Sequence, residues 1–207
     1  MIQLFETSSS RERLTAAGRF VRSFPPASEV LIVGANRPAV DDFVRGLSVR
    51  RLIGRGATFG LHRFSLMQLV SRLATNELAK SEQTPATPLG MEAVAARATF
   101  EGLRKGELPR LEKAATFPGF ARALASTVGE LRLADLDSTV AVNGNGGAEP
   151  RDLAALFKRF EVELEKASIA DRSTQLRLAI RGLDDLHHLR TAPILLLDVS
   201  IGSALER

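Results

Sequence analysis

Two short apolar runs, Val30-Leu31-Ile32-Val33 and Ile194-Leu195-Leu196-Leu197, constrain the fold of this chain more than any other feature. Neither shows the polar alternation of a half-exposed strand, so each has the pattern of a strand covered on both faces, as in a parallel sheet layered with helices. Gly34-Ala35-Asn36 closes the first run and Asp198 the second. Between them the strand signal fades after Ser65 and stays absent to about Leu189. Strands at both ends of a helical stretch predict an α/β class, with a parallel sheet interrupted by a large all-helical insertion.

The remaining pattern fills in that frame. Ile2-Gln3-Leu4-Phe5 is a third apolar run, expected as the opening strand and followed by a Ser-rich loop, Thr7 to Ser10. Leu14, Ala17, Gly18 and Val21 then recur at helical spacing, and Pro25-Pro26 ends that helix. Pro38 suits the first turn of a second helix with the stripe Val40, Phe43, Val44 and Leu47. Thr58-Phe59 reads as a brief extended piece. Ser65 is a candidate cap for a helix carrying Leu66, Leu69, Val70 and Leu73. Further helical stripes are Phe120, Leu124, Val128, Leu131 and Leu153, Leu156, Phe157, Phe160, Leu164, with the flexible loop Asn143 to Gly147 between them. Ile2–Phe5, Val30–Val33 and Ile194–Leu197 are thus expected side by side, with a helical subdomain over Ser81 to Leu189. The expected divisions are 1–80, 81–189 and 190–207.

Composition removes several chemistries. The 207 residues include no cysteine, which excludes disulfides, thiolate nucleophiles and cysteine-held zinc or iron–sulfur clusters, and agrees with a reducing, cytoplasmic setting. No signal-peptide pattern or membrane-length apolar run is present, so no membrane partner is expected. The net charge of +4 is a mild basic bias that permits nucleic acid without demanding it. All the aromatic residues are Phe, so Tyr and Trp stacking platforms are absent and any DNA binding leans on phosphate contacts.

An apolar strand ending in Asp198 has the form of a Walker B strand, whose carboxylate reaches a magnesium ion beside nucleotide phosphates. The same form serves many strands in which the acid only caps the next turn. A phosphate-binding loop decides between them, because it needs glycines for its backbone cradle, a lysine for the phosphates and a Ser/Thr for the metal. The loop in the expected place, Thr7-Ser8-Ser9-Ser10-Arg11, has neither glycine nor lysine and lies between Glu6 and Glu12. ATP binding and an ATP or metal cofactor are therefore not expected. Asp184 and His188, one helical turn apart, have metal-ligand spacing but read better as the decoration of an exposed helix end. No His accompanies Ser8 to Ser10, so a serine nucleophile has no base. Asp171-Arg172 reads as a helix cap and surface charge pair.

His62 to Leu69, Pro118 to Arg132, Leu153 to Leu164 with Asp171-Arg172, and Ile194 to Asp198, taken in order, resemble the N-terminal helicase-like region of AddB/RexB-type helicase–nuclease B subunits and related PD-(D/E)XK nuclease proteins. His62-Arg63-Phe64-Ser65-Leu66-Met67-Gln68-Leu69 looks like that group's SF-x-x-L helix start, and Pro118-Gly119-Phe120 to Glu130-Leu131-Arg132 looks like its PGF…EL helix. Leu153 to Leu164 with Asp171-Arg172 resembles two further segments, and Ile194 to Asp198 stands in the Walker B-like place. The resemblance implies a partial P-loop-NTPase/helicase-like sheet, a degenerate ATP site, and a role as scaffold or DNA guide in double-strand-break processing. It also implies a partner subunit or downstream nuclease domain, since the nuclease's acid and lysine set has no counterpart in these residues. No catalytic residue is expected here. The expected DNA contacts, weak and through phosphates, are Asn36, Arg37, His62, Arg63 and Ser65, at strand ends of the kind that face single strands in helicases. The alternatives are an active P-loop NTPase and a generic α/β protein-interaction module.

Overall fold

The computed structural model describes residues 2–49, 59–138, 149–185 and 191–207. The chain divides into two compact units, one built from 1–73 with 183–200 and the other from 74–182 with 201–207.

The first unit holds a three-stranded parallel sheet in the order β2-β1-β5, with β1 at Val30–Gly34, β2 at Leu61–Ser65 and β5 at Ile194–Leu197. Ile32 faces Arg63 on one side and Leu195 on the other. All five residues of β1 are buried, as a continuous apolar run in a central strand requires. Because side chains alternate, Val30 and Ile32 share one face, and helices α1 (Ser10–Arg22) and α2 (Arg37–Val49) cover it. Ala17 and Val21 of α1 and Val40, Phe43, Val44 and Leu47 of α2 form a single buried cluster with Val30, Ile32 and Leu197. Two glycines permit this packing. A Cβ on Gly34 would stand 2.4 Å from a Val40 methyl, and one on Gly18 would stand 3.2 Å from Leu47.

The sheet differs from expectation at its third member. Ile2–Phe5 forms no strand, and Ile2 and Leu4 are 98% and 90% exposed. The third strand is instead Leu61–Ser65, which follows the extended piece expected at Thr58-Phe59 and ends at the expected helix cap, Ser65. A short run becomes a strand only when a neighbouring edge offers a ladder, and β1 offers its edge to Leu61–Ser65 despite that segment's polar residues. Helix α3 (Leu66–Lys80) follows at once. Ser65 caps it as expected: the Gln68 N–H donates to Ser65 Oγ (3.3 Å), and the Ser65 N–H donates back to Gln68 Oε1 (3.0 Å), a reciprocal capping box. Thr58 lies outside the described residues, and Phe59 precedes the strand.

The second unit is mainly helical: α4 (Pro88–Arg104), the short α5 (Glu112–Ala115), α6 (Phe120–Leu133), α7 (Glu149–Lys166) and α8 (Arg172–Arg181). The two stripes read from the sequence fall on α6 and α7. Val94, Ala95 and Ala98 of α4 pack with Leu124 and Val128 of α6 and with Leu156, Phe157, Phe160 and Leu164 of α7. The small α4 residues allow close helix approach, and a Cβ on Gly102 would meet Leu108 at 2.9 Å. Asp152 is buried and accepts the backbone N–H groups of Arg110 (2.9 Å) and Leu111 (3.0 Å), fixing the chain that leads into α5.

The strand signal does not vanish entirely from this region. Thr84–Pro85 (β3) pairs in parallel with Ile169–Ala170 (β4), joined by hydrogen bonds from Thr84 N–H to Ser168 O (2.9 Å) and from Ala86 N–H to Ala170 O (2.8 Å). Two residues per strand are too few for any period to show. Asp171 caps α8, as expected, by accepting from the Thr174 N–H (2.9 Å). Its charge partner is not Arg172 but Arg132, whose Nε lies 2.7 Å from its carboxylate, while Arg172 pairs with Glu206. Arg132 also reaches Glu161 at 2.9 Å, and both Arg132 and Asp171 are buried. The loop Asn143 to Gly147 lies outside the described residues.

Candidate nucleic-acid interface

The carboxyl ends of the three parallel strands bring together the loops that follow them, the usual place for ligands in an open α/β sheet. Asn36 lies after β1, Ser65 ends β2 and Asp198 follows β5.

Asp198 has a left-handed backbone (φ 53°), a conformation that Asp tolerates better than most residues. Its carboxylate is engaged within the chain: Arg13 of α1 places Nε 2.9 Å from Oδ1. The same guanidinium donates to Thr7 O (2.8 Å) and Ser10 Oγ (3.1 Å). Around it, Thr7 Oγ1 donates to Glu12 (2.7 Å) and accepts the Ser9 N–H (3.2 Å), while Ser9 Oγ accepts the Glu12 N–H as the cap of α1 (3.3 Å). Ser8 is exposed on this loop, and Arg11 sits in the first turn of α1, accepting from Thr15 Oγ1 through its carbonyl (2.7 Å). The polar groups of Thr7 to Ser10 thus serve their own helix start. A guanidinium stands against the Walker B-like carboxylate, where a nucleotide site places magnesium.

Of the five expected DNA contacts, the fold brings two together. Arg37, in the first turn of α2, places Nε 3.1 Å from Asp41 and donates to the carbonyl of Arg63 (2.6 Å). Arg63, from β2, lies 3.2 Å from Asp41 Oδ1, one of the two oxygens that Arg37 also reaches. The carboxylate holds two guanidiniums side by side while each side chain stays about 40% exposed. Asn36 and Ser65 lie at the same end of the sheet with mainly structural roles: Asn36 Oδ1 accepts the Ala39 N–H (2.9 Å) at the start of α2, and Ser65 caps α3. His62 is not part of the group. It is in register with Leu31, so it points to the opposite sheet face from Arg63, and its Nε2 lies 3.4 Å from Glu29.

Arg37 and Arg63 open onto a cleft of about 720 Å³ between α2 and β2, lined also by Asp41, Val44, Arg45, Ser48, Phe59, Gly60 and Leu61. Sequence reasoning missed Asp41, Arg45, Ser48 and Phe59. The signal for the first three was present: Arg37, Asp41, Arg45 and Ser48 fall at helical spacing on the face that flanks the buried stripe. Nothing in the local pattern marks Phe59.

His188 lies outside the described residues, and among those described no group of three His, Asp or Glu side chains could hold a metal ion. Among the described residues, no helix is long and apolar enough to cross a membrane. Neither a protein-family model nor a curated protein matches the chain.

Proposed function

We propose that this chain is the N-terminal part of a DNA double-strand-break-processing, helicase–nuclease-like protein, in which a degenerate motor fold serves as scaffold and DNA guide. The observation that carries this reading is the substitution of functions at the sheet's carboxyl edge. The Walker B-like Asp198 is taken by Arg13, and on the other side of β1 Arg37 and Arg63 are held together and partly open to solvent. Such an edge is poor for a triphosphate and suited to a few backbone phosphates. The partner in this reading is a helicase–nuclease subunit or a downstream nuclease domain, and the setting is the cytoplasm.

An active P-loop NTPase is the reading that the Arg13–Asp198 pair disfavours. Titration calorimetry with magnesium and ATP is expected to give no heat of binding at millimolar nucleotide, and a micromolar isotherm would restore the NTPase. The guide role predicts weak, sequence-independent binding to single-stranded oligonucleotides that falls steeply with salt. In anisotropy titrations across a salt series, the double variant Arg37→Ala/Arg63→Ala should flatten the slope of log K against log salt by about 0.7 for each phosphate that is no longer neutralised. Absence of binding by the wild-type chain at low salt would leave a protein-interaction module as the better reading.

A further inference from the structure

The cleft between α2 and β2 carries more than the arginine pair at its upper end. Arg37, Asp41, Arg45 and Ser48 form one polar stripe along α2, and Arg37 to Arg45 covers about 12 Å of helix axis. The facing wall is Leu61 and Arg63 of β2, with Gly60 and Phe59 just before the strand. Three guanidiniums thus face one carboxylate, Asp41, among the lining residues, and Arg45 also pairs with the exposed Asp42 (2.6 Å). The Phe59 ring is 76% exposed beside this charged wall.

Its placement is set by the backbone. Gly60 has φ +75°, and a Cβ there would stand 2.6 Å from the carbonyl oxygen of Ser28. Only glycine fits this turn, and the Gly60 carbonyl accepts the Val30 N–H (2.9 Å), tying the turn to β1. Phe59 is attached directly to that anchored residue. The apolar residues of α2 that Phe59 could have joined, Val40, Phe43 and Leu47, are already buried in the core.

We infer that this cleft is a single-strand nucleic-acid track, in which Arg37, Arg63 and Arg45 take successive backbone phosphates and a base stacks on Phe59. The inference rests on the DNA-guide reading and extends it from loose phosphate contacts at the strand ends to a defined groove with a stacking residue. A duplex does not fit this chemistry, because its bases are stacked on one another and present no free face to a ring at the foot of a groove. An acidic peptide would use the arginines but has no comparable use for Phe59.

The test measures anisotropy of the full chain with three labelled probes: a single-stranded thymidine oligonucleotide, an abasic strand with the same number of phosphates, and an acidic peptide. Phe59→Ala is expected to weaken thymidine-strand binding by about 5- to 150-fold, the effect of losing one base–aromatic stack, without changing the salt slope. The same variant should leave abasic-strand binding unchanged. Arg45→Ala should flatten the salt slope on both strands. Phe59 and Arg45 are exposed, so neither substitution removes core packing. If Phe59→Ala binds the thymidine strand like wild type while Arg37→Ala/Arg63→Ala binds it less well, the track is overturned and the guide role stands. If the wild type binds neither strand, or binds only the peptide, both fail.

Discussion

Replacing Arg132 by methionine is expected to lower stability by about 3–5 kcal/mol, among the largest effects of any single substitution in this chain. Arg132 is 9% exposed and Asp171 2% exposed, and the guanidinium holds both Asp171 (2.7 Å) and Glu161 (2.9 Å). Methionine fills much of the same volume but leaves the Asp171 charge buried without its cation. Burial alone pushes the Asp171 carboxyl up. The hydrogen bonds and charge of Arg132, with help from Thr174, outweigh that and hold it below its ordinary 3.8. A depressed folded value means that this contribution is fully present above the unfolded value and is lost as pH falls through the folded one. In the methionine variant the folded value rises relative to wild type, because burial then acts on Asp171 with Thr174 but not Arg132 opposing it. Urea midpoints should therefore separate the two proteins widely at neutral pH and bring them together as the medium becomes acid. Arg132→Lys should recover only part of the loss, since an ammonium cannot reproduce the fork that reaches two carboxylates. A neutral-pH midpoint within error of wild type for Arg132→Met would show that the network contributes little.

Phe157→Ala should be comparably severe, at about 3–5 kcal/mol. Phe157 is fully buried in the cluster formed by α4, α6 and α7, beside Phe160 and Leu156. The buried α4 residues of that cluster, Val94, Ala95 and Ala98, have side chains too short to fill the space. The vacancy therefore stays open and adds its own cost to the forfeited transfer energy. Phe157→Leu should lose less, because most of the volume remains. Thermal melts followed by circular dichroism would rank the pair. An alanine variant melting with the leucine variant would mean that the cluster collapses around the gap. Total stabilities of single domains are about 5–15 kcal/mol, so either severe substitution removes a large share.

The α/β class, the strands at Val30 and Ile194 and the helices carrying long apolar stripes were legible in the amino-acid sequence, because each rests on a pattern that local residues define, but only the first strand is covered on both faces: Ile194 and Leu196 are 55% and 54% exposed, since an edge strand's cover is set by its neighbours and not by its own apolar run. Ser65 and Asp171 were legible as caps for the same reason: a cap's partner lies three residues away.

Other features were decided only where distant segments meet. Whether Ile2–Phe5 or Leu61–Ser65 joins β1 depends on which segment can lay its backbone along an open edge, and composition favoured the segment that forms no strand. Asp171 took its cation from Arg132 on another helix instead of from adjacent Arg172, because the buried carboxylate needs a guanidinium that arrives from the same interior. The partner of Asp198 proved to be Arg13, which no motif spacing connects to it. The cleft is the fullest case. Its α2 wall is a stripe that the sequence already contained, but its other wall is an edge strand of which local pattern showed only a brief extended piece at Thr58-Phe59. Phe59 is set there by a glycine turn packed against the Ser28 carbonyl. Local periodicity specifies which face of an element is apolar. It carries no record of which element lies opposite the polar face, and that pairing makes the cleft.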